Sequence, residues 1–392
     1  MEAMDNFFED TDNMDISSIA TQRLEEEIKK SGLSGPCDVN WDVYYRFLKC
    51  VDEFYQSRFS ENRFLYIHPT WLQHKTPERF RKFYQTPLFY TCWGDRSQSS
   101  IICLGGIVNT ARRFDYVAQA LSGDHCVICM DWAGRGQSGW LAEQTDYSFD
   151  SHVQQVWGLI RHLQIEKTTI IGSSLGGSVG MRLAAQYPDL VERLILNDVG
   201  PFIPLERRRR RAQTVARHYV FQQPVDLFRQ SGGAQKNDGP IGDAVLLHTN
   251  FHQTQWSESH QGRVYRHDLR AMQAYQEWAK FDHVQWADWE KVQSPTLLIH
   301  GVNSDALNVG VIEQMKRSSK ELAVMHVPDT GHTPVLSEKY QHDLIKSWIR
   351  GEWPSSEEVY CPRIPFPKRK LFCVSSFSPA KSLSEENINF SR

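Results

Sequence analysis

A serine hydroxyl is a poor nucleophile at pH 7. It needs a base to take its proton, an acid to orient that base, and donors for the oxyanion that forms. The chain has residues for each part. Gly172-Ser173-Ser174-Leu175-Gly176 spells G-x-S-x-G between the apolar run Thr168–Ile171 and a helical pattern that reaches Tyr187. In that setting the glycines let strand and helix approach closely, and Ser174 sits at the apex of a sharp, strained turn above the positive end of the helix. The base is expected late in the chain. His332, in Gly331-His332-Thr333-Pro334, follows the last apolar run and precedes a helix that begins near Leu336, a setting that no other of the fifteen histidines shares. The acid is sought between serine and histidine, the chain order that accompanies such a turn. Asp305, a few residues beyond the strand-like Leu297-Leu-Ile-His-Gly301, is the first choice. Asp198, in Leu196-Asn-Asp-Val-Gly-Pro201, is the alternative acid, and with Asp305 in the catalytic place its expected role is to hydrogen-bond loop backbone. Oxyanion donors are expected from the N–H of Leu175 and from the loop Leu104-Gly-Gly-Ile107, with Ile107 ahead of Gly106.

These parts need a scaffold that delivers each to one edge. From Pro87 onward short apolar runs alternate with helical ones. Strands are expected at Leu88–Cys92, Ser100–Leu104, Cys126–Met130, Thr168–Ile171, Val191–Leu196, Thr296–Ile299 and Leu322–Val327. Helices are expected at Ala111–Leu121, Phe149–Leu163, Leu175–Tyr187, Val309–Ser318 and Leu336–Arg350. Such alternation predicts an α/β fold, with a mostly parallel sheet covered by helices on both faces and a site at the carboxyl ends of its strands. The alternation lapses from Pro201 to Gln293, which reads as an inserted helical cap. The expected organisation is an N-terminal extension (1–86), a main domain (87–353) carrying the cap at about 201–293, and a disordered C-terminal extension (354–392). Within the first segment, helices are expected at Ile19–Ser31, at Asp38–Ser60 with Trp41, Tyr44, Tyr45, Leu48, Val51, Phe54 and Tyr55 on one face, and at Pro77–Tyr84. The aromatic face calls for a cover, either the body of the protein or a partner protein.

Three further motifs admit chemistry but read better as structure. Gly134, Gly136 and Gly139 spell G-x-G-x-x-G, yet three residues separate the strand from the first glycine and no helix opens there, so a tight loop at the site entrance is preferred to a dinucleotide site. Cys126-Val-Ile-Cys129 lies in a strand-like run, where residues three apart face opposite sides, and no second pair or histidine cluster completes a zinc site. Arg207–Arg211 is read first as a solvated helix face and second as an attractor of an anionic substrate. At about 100° per residue the five cannot all face one ligand.

The 392 residues carry a net charge of -3, which gives no global case for nucleic-acid or membrane-surface binding. No apolar run reaches the ~20 residues of a membrane span. The acidic start, Met1–Asp15, has neither the basic nor the apolar region of a secretory signal, so cytoplasmic residence is the expectation.

Assembled, these residues resemble the α/β-hydrolase superfamily over roughly Pro87–Arg350. The match rests on Gly172-Ser-Ser174-Leu-Gly176, Asp131-x-x-Gly134-x-Gly136-x-Ser138, Gly301-x-x-x-Asp305 and Gly331-His332. Within it the chain is similar to capped bacterial-type esterases and meta-cleavage C–C hydrolases. The resemblance implies an α/β-hydrolase fold, a Ser174–His332–Asp305 triad, no metal or organic cofactor, and a small-molecule acyl substrate. Many members have His-Gly where this chain has Gly105-Gly106, a departure that bears on the oxyanion loop. A serine rather than an aspartate at the turn points away from dehalogenase-like and epoxide-hydrolase-like chemistry. The expected activity is cleavage of a carboxylic ester or thioester of a small to medium apolar substrate, with Phe221, Phe228, Phe251, Trp256, Tyr275 and Trp278 of the cap available to shape an apolar pocket. The alternatives are a C–C hydrolase of dienoic diketo acids, whose anionic substrate would call for an arginine among Arg207–Arg211, Arg263, Arg266 and Arg270, and a non-catalytic binding protein on the same fold.

Overall fold

The computed structural model describes residues 26, 29–32, 40–46, 58–69, 83–215, 217–227, 239–318, 321–353 and 358–366. The strands are β1 (Phe59–Pro69), β2 (Phe83–Trp93), β3 (Ser100–Leu104), β4 (Cys126–Met130), β5 (Thr168–Ser173), β6 (Val191–Asn197), β7 (Phe202–Ile203), β8 (Thr254–Ser257), β9 (Gly262–Tyr265), β10 (His283–Val284), β11 (Thr296–Gly301), β12 (Leu322–Val327) and β13 (Glu358–Tyr360). Nine of them form one sheet in the order β1-β2-β4-β3-β5-β6-β11-β12-β13. β2 runs antiparallel to both β1 and β4, and the remaining pairs are parallel.

The central strands are apolar on both sides because helices cover both faces. Ile102, Leu104, Ile128, Met130, Ile170, Leu194, Leu196 and Leu298 point into one core. Ile101, Cys103, Val127, Cys129, Ile171, Ile195, Leu297 and Ile299 point into the other. Cys126 and Cys129 accordingly fall into different cores. The helices of the main domain are α1 (Asp115–Leu121), α2 (Phe149–Leu163), α3 (Leu175–Gln186), α8 (Val309–Lys316) and α9 (Lys339–Ile349). Between β6 and β11 lie α4 (Leu205–Val215), α5 (Asp243–His252), α6 (Leu269–Trp278) and the short α7 (Trp286–Trp289). α2 starts at Ser148, whose side chain caps the N–H of Ser151, and stops at Gln164, whose φ is 55°.

The inserted segment 201–293 is not purely helical. Among its described residues it also carries the antiparallel pairs β7–β10 and β8–β9. The boundary drawn at Pro87 falls inside β2, and β1, which precedes it, forms one edge of the sheet. β1 escapes a period-2 reading because both its faces are apolar. Phe64 and Tyr66 are buried, whereas Leu65 and Ile67 are each 59% exposed. At the opposite edge, residues 358–360 of the expected disordered extension form β13 on β12, held by the register Val324↔Glu358 to His326↔Tyr360, an ion pair of Glu358 with Lys316, and a ring stack of Tyr360 on His326.

The helix expected at Asp38–Ser60 is described over 41–46 only, and Phe59 and Ser60 belong to β1. Its aromatic face packs on the insertion. The Trp41 indole N–H donates to the Gln222 carbonyl at 2.6 Å, and the Tyr44 hydroxyl donates to the Leu247 carbonyl at 3.0 Å. Most of the helices expected at Ile19–Ser31 and Pro77–Tyr84 lies outside the described residues, as do 354–357 and 367–392. Phe83 and Tyr84 are strand. Among the described residues no helix is long and apolar enough to cross a membrane.

Candidate active site

The turn after β5 is as tight as its sequence demands. A Cβ at Gly172 would lie 2.4 Å from the Gly177 Cα, and one at Gly176 would lie 2.1 Å from the Leu104 carbonyl oxygen, so neither position accepts a side chain. Ser174 takes the strain itself, with φ 51° and ψ −114°. Its N–H donates to the Asn197 carbonyl at 3.2 Å, which pins the turn to the end of β6.

His332 lies opposite. Its Nε2 is 2.9 Å from Ser174 Oγ, and its Nδ1 is 2.8 Å from Asp198 Oδ2. A carboxylate only accepts, so Nδ1 carries the proton and Nε2 is left to accept from the serine hydroxyl. Burial lowers the proton affinity of His332 below the ordinary imidazole value. Asp198 works against that shift, and Arg207 and Arg211 reinforce it.

The partner of His332 is therefore Asp198, and the expectation for Asp305 is corrected. Asp198 is fully buried and stands one residue beyond β6, at φ 54°. Its carboxylate also accepts from the Gly301 N–H at 3.0 Å and from Ser304 Oγ at 2.5 Å. Asp305 instead points to the surface of α4, 3.1 Å from Arg207 Nε and 3.3 Å from an Arg210 nitrogen, with its side chain 53% exposed. The physical reason is the strand order. β6 adjoins β5, so its end opens beside Ser174, whereas β11 lies one strand further out. The loop after β11 serves the site with donors to Asp198, not with the acid.

Asn197 is a further contributor that the sequence did not single out. Its side-chain amide donates to Ser173 Oγ and to the Pro334 carbonyl, both at 2.9 Å, and so ties the serine turn to the loop that carries His332. Its neighbour Asp198 was noticed as a strand-end acid. A buried amide at the last position of β6 was the available signal.

The loop after β3 faces the serine. A Cβ at Gly106 would lie 3.5 Å from Ser174 Cβ. The Gly106 N–H donates to Asn109 Oδ1 at 3.0 Å, so it is engaged. Leu175 opens α3, where a backbone N–H has no partner within the helix. In place of the absent histidine, the loop is held from the G-x-G-x-x-G segment. Trp132 Nε1 donates to the Gly105 carbonyl at 2.8 Å, and Arg135 Nε donates to the Ile107 carbonyl at 3.0 Å. That segment is itself fastened by Asp131, which accepts from the Ala111 N–H at 2.6 Å and the Gln137 N–H at 2.7 Å. A Cβ at Gly136 would lie 2.0 Å from the Asp131 carboxylate, and one at Gly134 would press on the Tyr147 ring. These glycines build a support.

Residues 100–339 match the family model described as the alpha/beta hydrolase fold. The chain belongs to that family. This α/β hydrolase is 28% identical over 270 residues to a 3-hydroxybutyrate-oligomer hydrolase of Cupriavidus necator, a match that covers 67% of this chain and 92% of that protein. Two solved structures share the fold. An alpha/beta hydrolase from Novosphingobium aromaticivorans aligns with a TM-score of 0.64 at 23% identity, over 75% of this chain and 98% of that one. E-2-(acetamidomethylene)succinate hydrolase aligns with a TM-score of 0.58 at 20% identity, over 73% of this chain and all of that one.

In the α/β hydrolase a cavity of about 460 Å³ opens over Ser174 and His332. Gly106, Ile107 and Leu175 form part of its floor, and the insertion forms much of its wall. Of the aromatic residues expected to shape a pocket, Tyr275 and Trp278 line it, joined by Phe149 and Phe281. Phe221 packs on Tyr265 within the insertion, Phe251 packs on His252 and on Tyr44 and Tyr45, Trp256 does not line the cavity, and Phe228 is outside the described residues. Arg207, Arg208 and Arg211 line the cavity, whereas Arg263, Arg266 and Arg270 do not. Arg263 instead binds the carbonyls of Phe251 and Thr254 and the Tyr45 hydroxyl. Arg270 pairs with Asp268. Among the described residues no group of three or more His, Cys, Asp or Glu side chains is placed to hold a metal ion.

Proposed function

We propose that this α/β hydrolase cleaves a carboxylic ester or thioester of small to medium size through an acyl-enzyme. The observation that carries the reading is the continuous hydrogen-bonded line Ser174–His332–Asp198, whose serine and histidine line the cavity. Ser174 Oγ attacks the carbonyl carbon as His332 Nε2 takes its proton. Asp198 holds the tautomer and stabilises the imidazolium. The N–H groups of Leu175 and Ile107 receive the oxyanion, Gly106 being engaged with Asn109. His332 then gives its proton to the leaving oxygen or sulfur as the bond to the acyl carbon breaks. Water, deprotonated by His332, releases the acid and restores Ser174. The segment 201–293 acts as the cap that selects the substrate.

The relative from Cupriavidus necator supports ester chemistry, because oligomers of a hydroxy acid are joined by ester bonds. A fluorophosphonate probe is expected to label Ser174 in the folded protein, with Ser174→Ala abolishing both labelling and turnover. A p-nitrophenyl ester series of rising chain length, run beside a dienoic diketo acid, reads out the bond cleaved. Turnover retained by Ser174→Ala, or turnover of the diketo acid alone, overturns the reading.

A further inference from the structure

The five arginines of α4 divide by helical geometry. At about 100° per residue, positions 207, 208 and 211 share one side, and 209 and 210 point away. Arg207, Arg208 and Arg211 line the catalytic cavity, and Arg209 and Arg210 are exposed. The cavity cations are not equivalent. Arg207 is committed to Asp305. Arg208 donates to the Phe281 carbonyl. Arg182 and Arg113, which also line the cavity, are held by Asp288 and by the Thr333 carbonyl. Arg211 is half-buried on the wall, and among the described residues its guanidinium has neither a carboxylate nor a carbonyl at hydrogen-bonding distance.

A guanidinium removed from water without an acceptor is costly, and a carboxylate is the ligand whose two oxygens match its fork. Resting on the ester-hydrolase reading, we propose that Arg211 anchors a free carboxylate of the substrate, so that the preferred ester is a monoanion carrying its charge a few bonds from the scissile carbonyl. Three further observations agree. Arg207 and Arg211 line the same cavity as Ser174 and His332. The apolar part of the wall, Phe149, Ile203, Tyr275 and Trp278, suits the short carbon chain between the two groups. A cavity of about 460 Å³ fits a short acid.

The test compares mono-4-nitrophenyl glutarate with its methyl-capped diester. Wild type is expected to favour the charged ester in kcat/KM by roughly tenfold or more, mostly through KM. Arg211→Gln should erase that preference, and Arg211→Lys, which keeps the charge and loses the fork, should restore part of it. Equal use of the two esters by wild type, or an equal loss on both in Arg211→Gln, overturns the anchor. Failure of fluorophosphonate to label Ser174 would instead sink the ester-hydrolase reading. In that event calorimetry with glutarate still decides the anchor. Binding by wild type that weakens roughly tenfold in Arg211→Gln supports it, and equal binding overturns it.

Discussion

Asp198 and Asp305 follow neighbouring strands, and both lie between the serine and the histidine in the chain. Their fates differ completely. Asp198 is buried, takes donors from Gly301, Ser304 and His332, and adopts a left-handed backbone conformation to do so. Asp305 is half in solvent and shared by two arginines of α4. One holds the ring of the histidine that faces Ser174. The other steadies the helix that carries the cavity arginines. A carboxylate becomes useful to a histidine through placement and desolvated hydrogen bonds, and type and chain order alone do not provide these.

The contrast can be broken or sharpened by measurement. The largest effect is expected from Asp198→Asn, which keeps the shape but favours the wrong imidazole tautomer. Its kcat should fall by about 10⁴-fold, as removal of the acid from a serine triad typically does. If Asp305→Asn shows the larger loss in ester turnover, the comparison is reversed. Next comes Ser304→Ala, which removes one donor to the Asp198 carboxylate and should lower kcat by roughly tenfold, with KM little changed. An unchanged kcat would mean that Gly301 alone holds Asp198 in place.

The pH profile gives a smaller effect with a definite sign. His332 must be neutral to accept the serine proton. Burial, then Arg207 and Arg211, lower its proton affinity, and Asp198 only partly opposes them. The acid limb of kcat/KM should therefore lie below 6.5, the ordinary histidine value, with activity rising through it as pH increases. Removing a nearby cation in Arg211→Gln should move the limb upward. A wild-type limb above 6.5 would show that Asp198 outweighs burial. The smallest effect is expected from Asp305→Asn. Its pairs are partly exposed, so the loss of stability should be about 1 kcal/mol or less by thermal or urea unfolding.

Much of the scaffold was legible because it is written locally. β3, β4, β12 and α2 occupy the residues that their patterns marked. A mostly parallel sheet covered by helices followed from that alternation, and the α/β-hydrolase fold from the resemblance of its motifs. The edges were harder. β1 is apolar on both faces, so alternation does not reveal which side is buried, and β13 is too short to have a period. The insertion carries two short β pairs among its helices, and two- to four-residue strands exist only by virtue of their partners. At the site, the glycine turn announced Ser174 because its strand and helix flank it directly. His332 was legible from the Gly-His that follows β12, although α9 opens only at Lys339. The absent histidine before Gly106 was legible as a departure, but not its replacement by Trp132 and Arg135, which reach the loop from 27 and 28 residues away.

Local sequence dictates which serine turns sharply out of a strand, which histidine follows β12, and that strands and helices alternate around them. Each of these is a short-range property of backbone freedom and apolar spacing. Long-range packing brings Asp198 to His332 across 134 residues and Ser304 to Asp198 across 106, and turns three of five consecutive arginines into the cavity. Those choices depend on which strand ends lie side by side and which helix face is turned inward. Strand order and packing set both, and neither is written at the positions concerned.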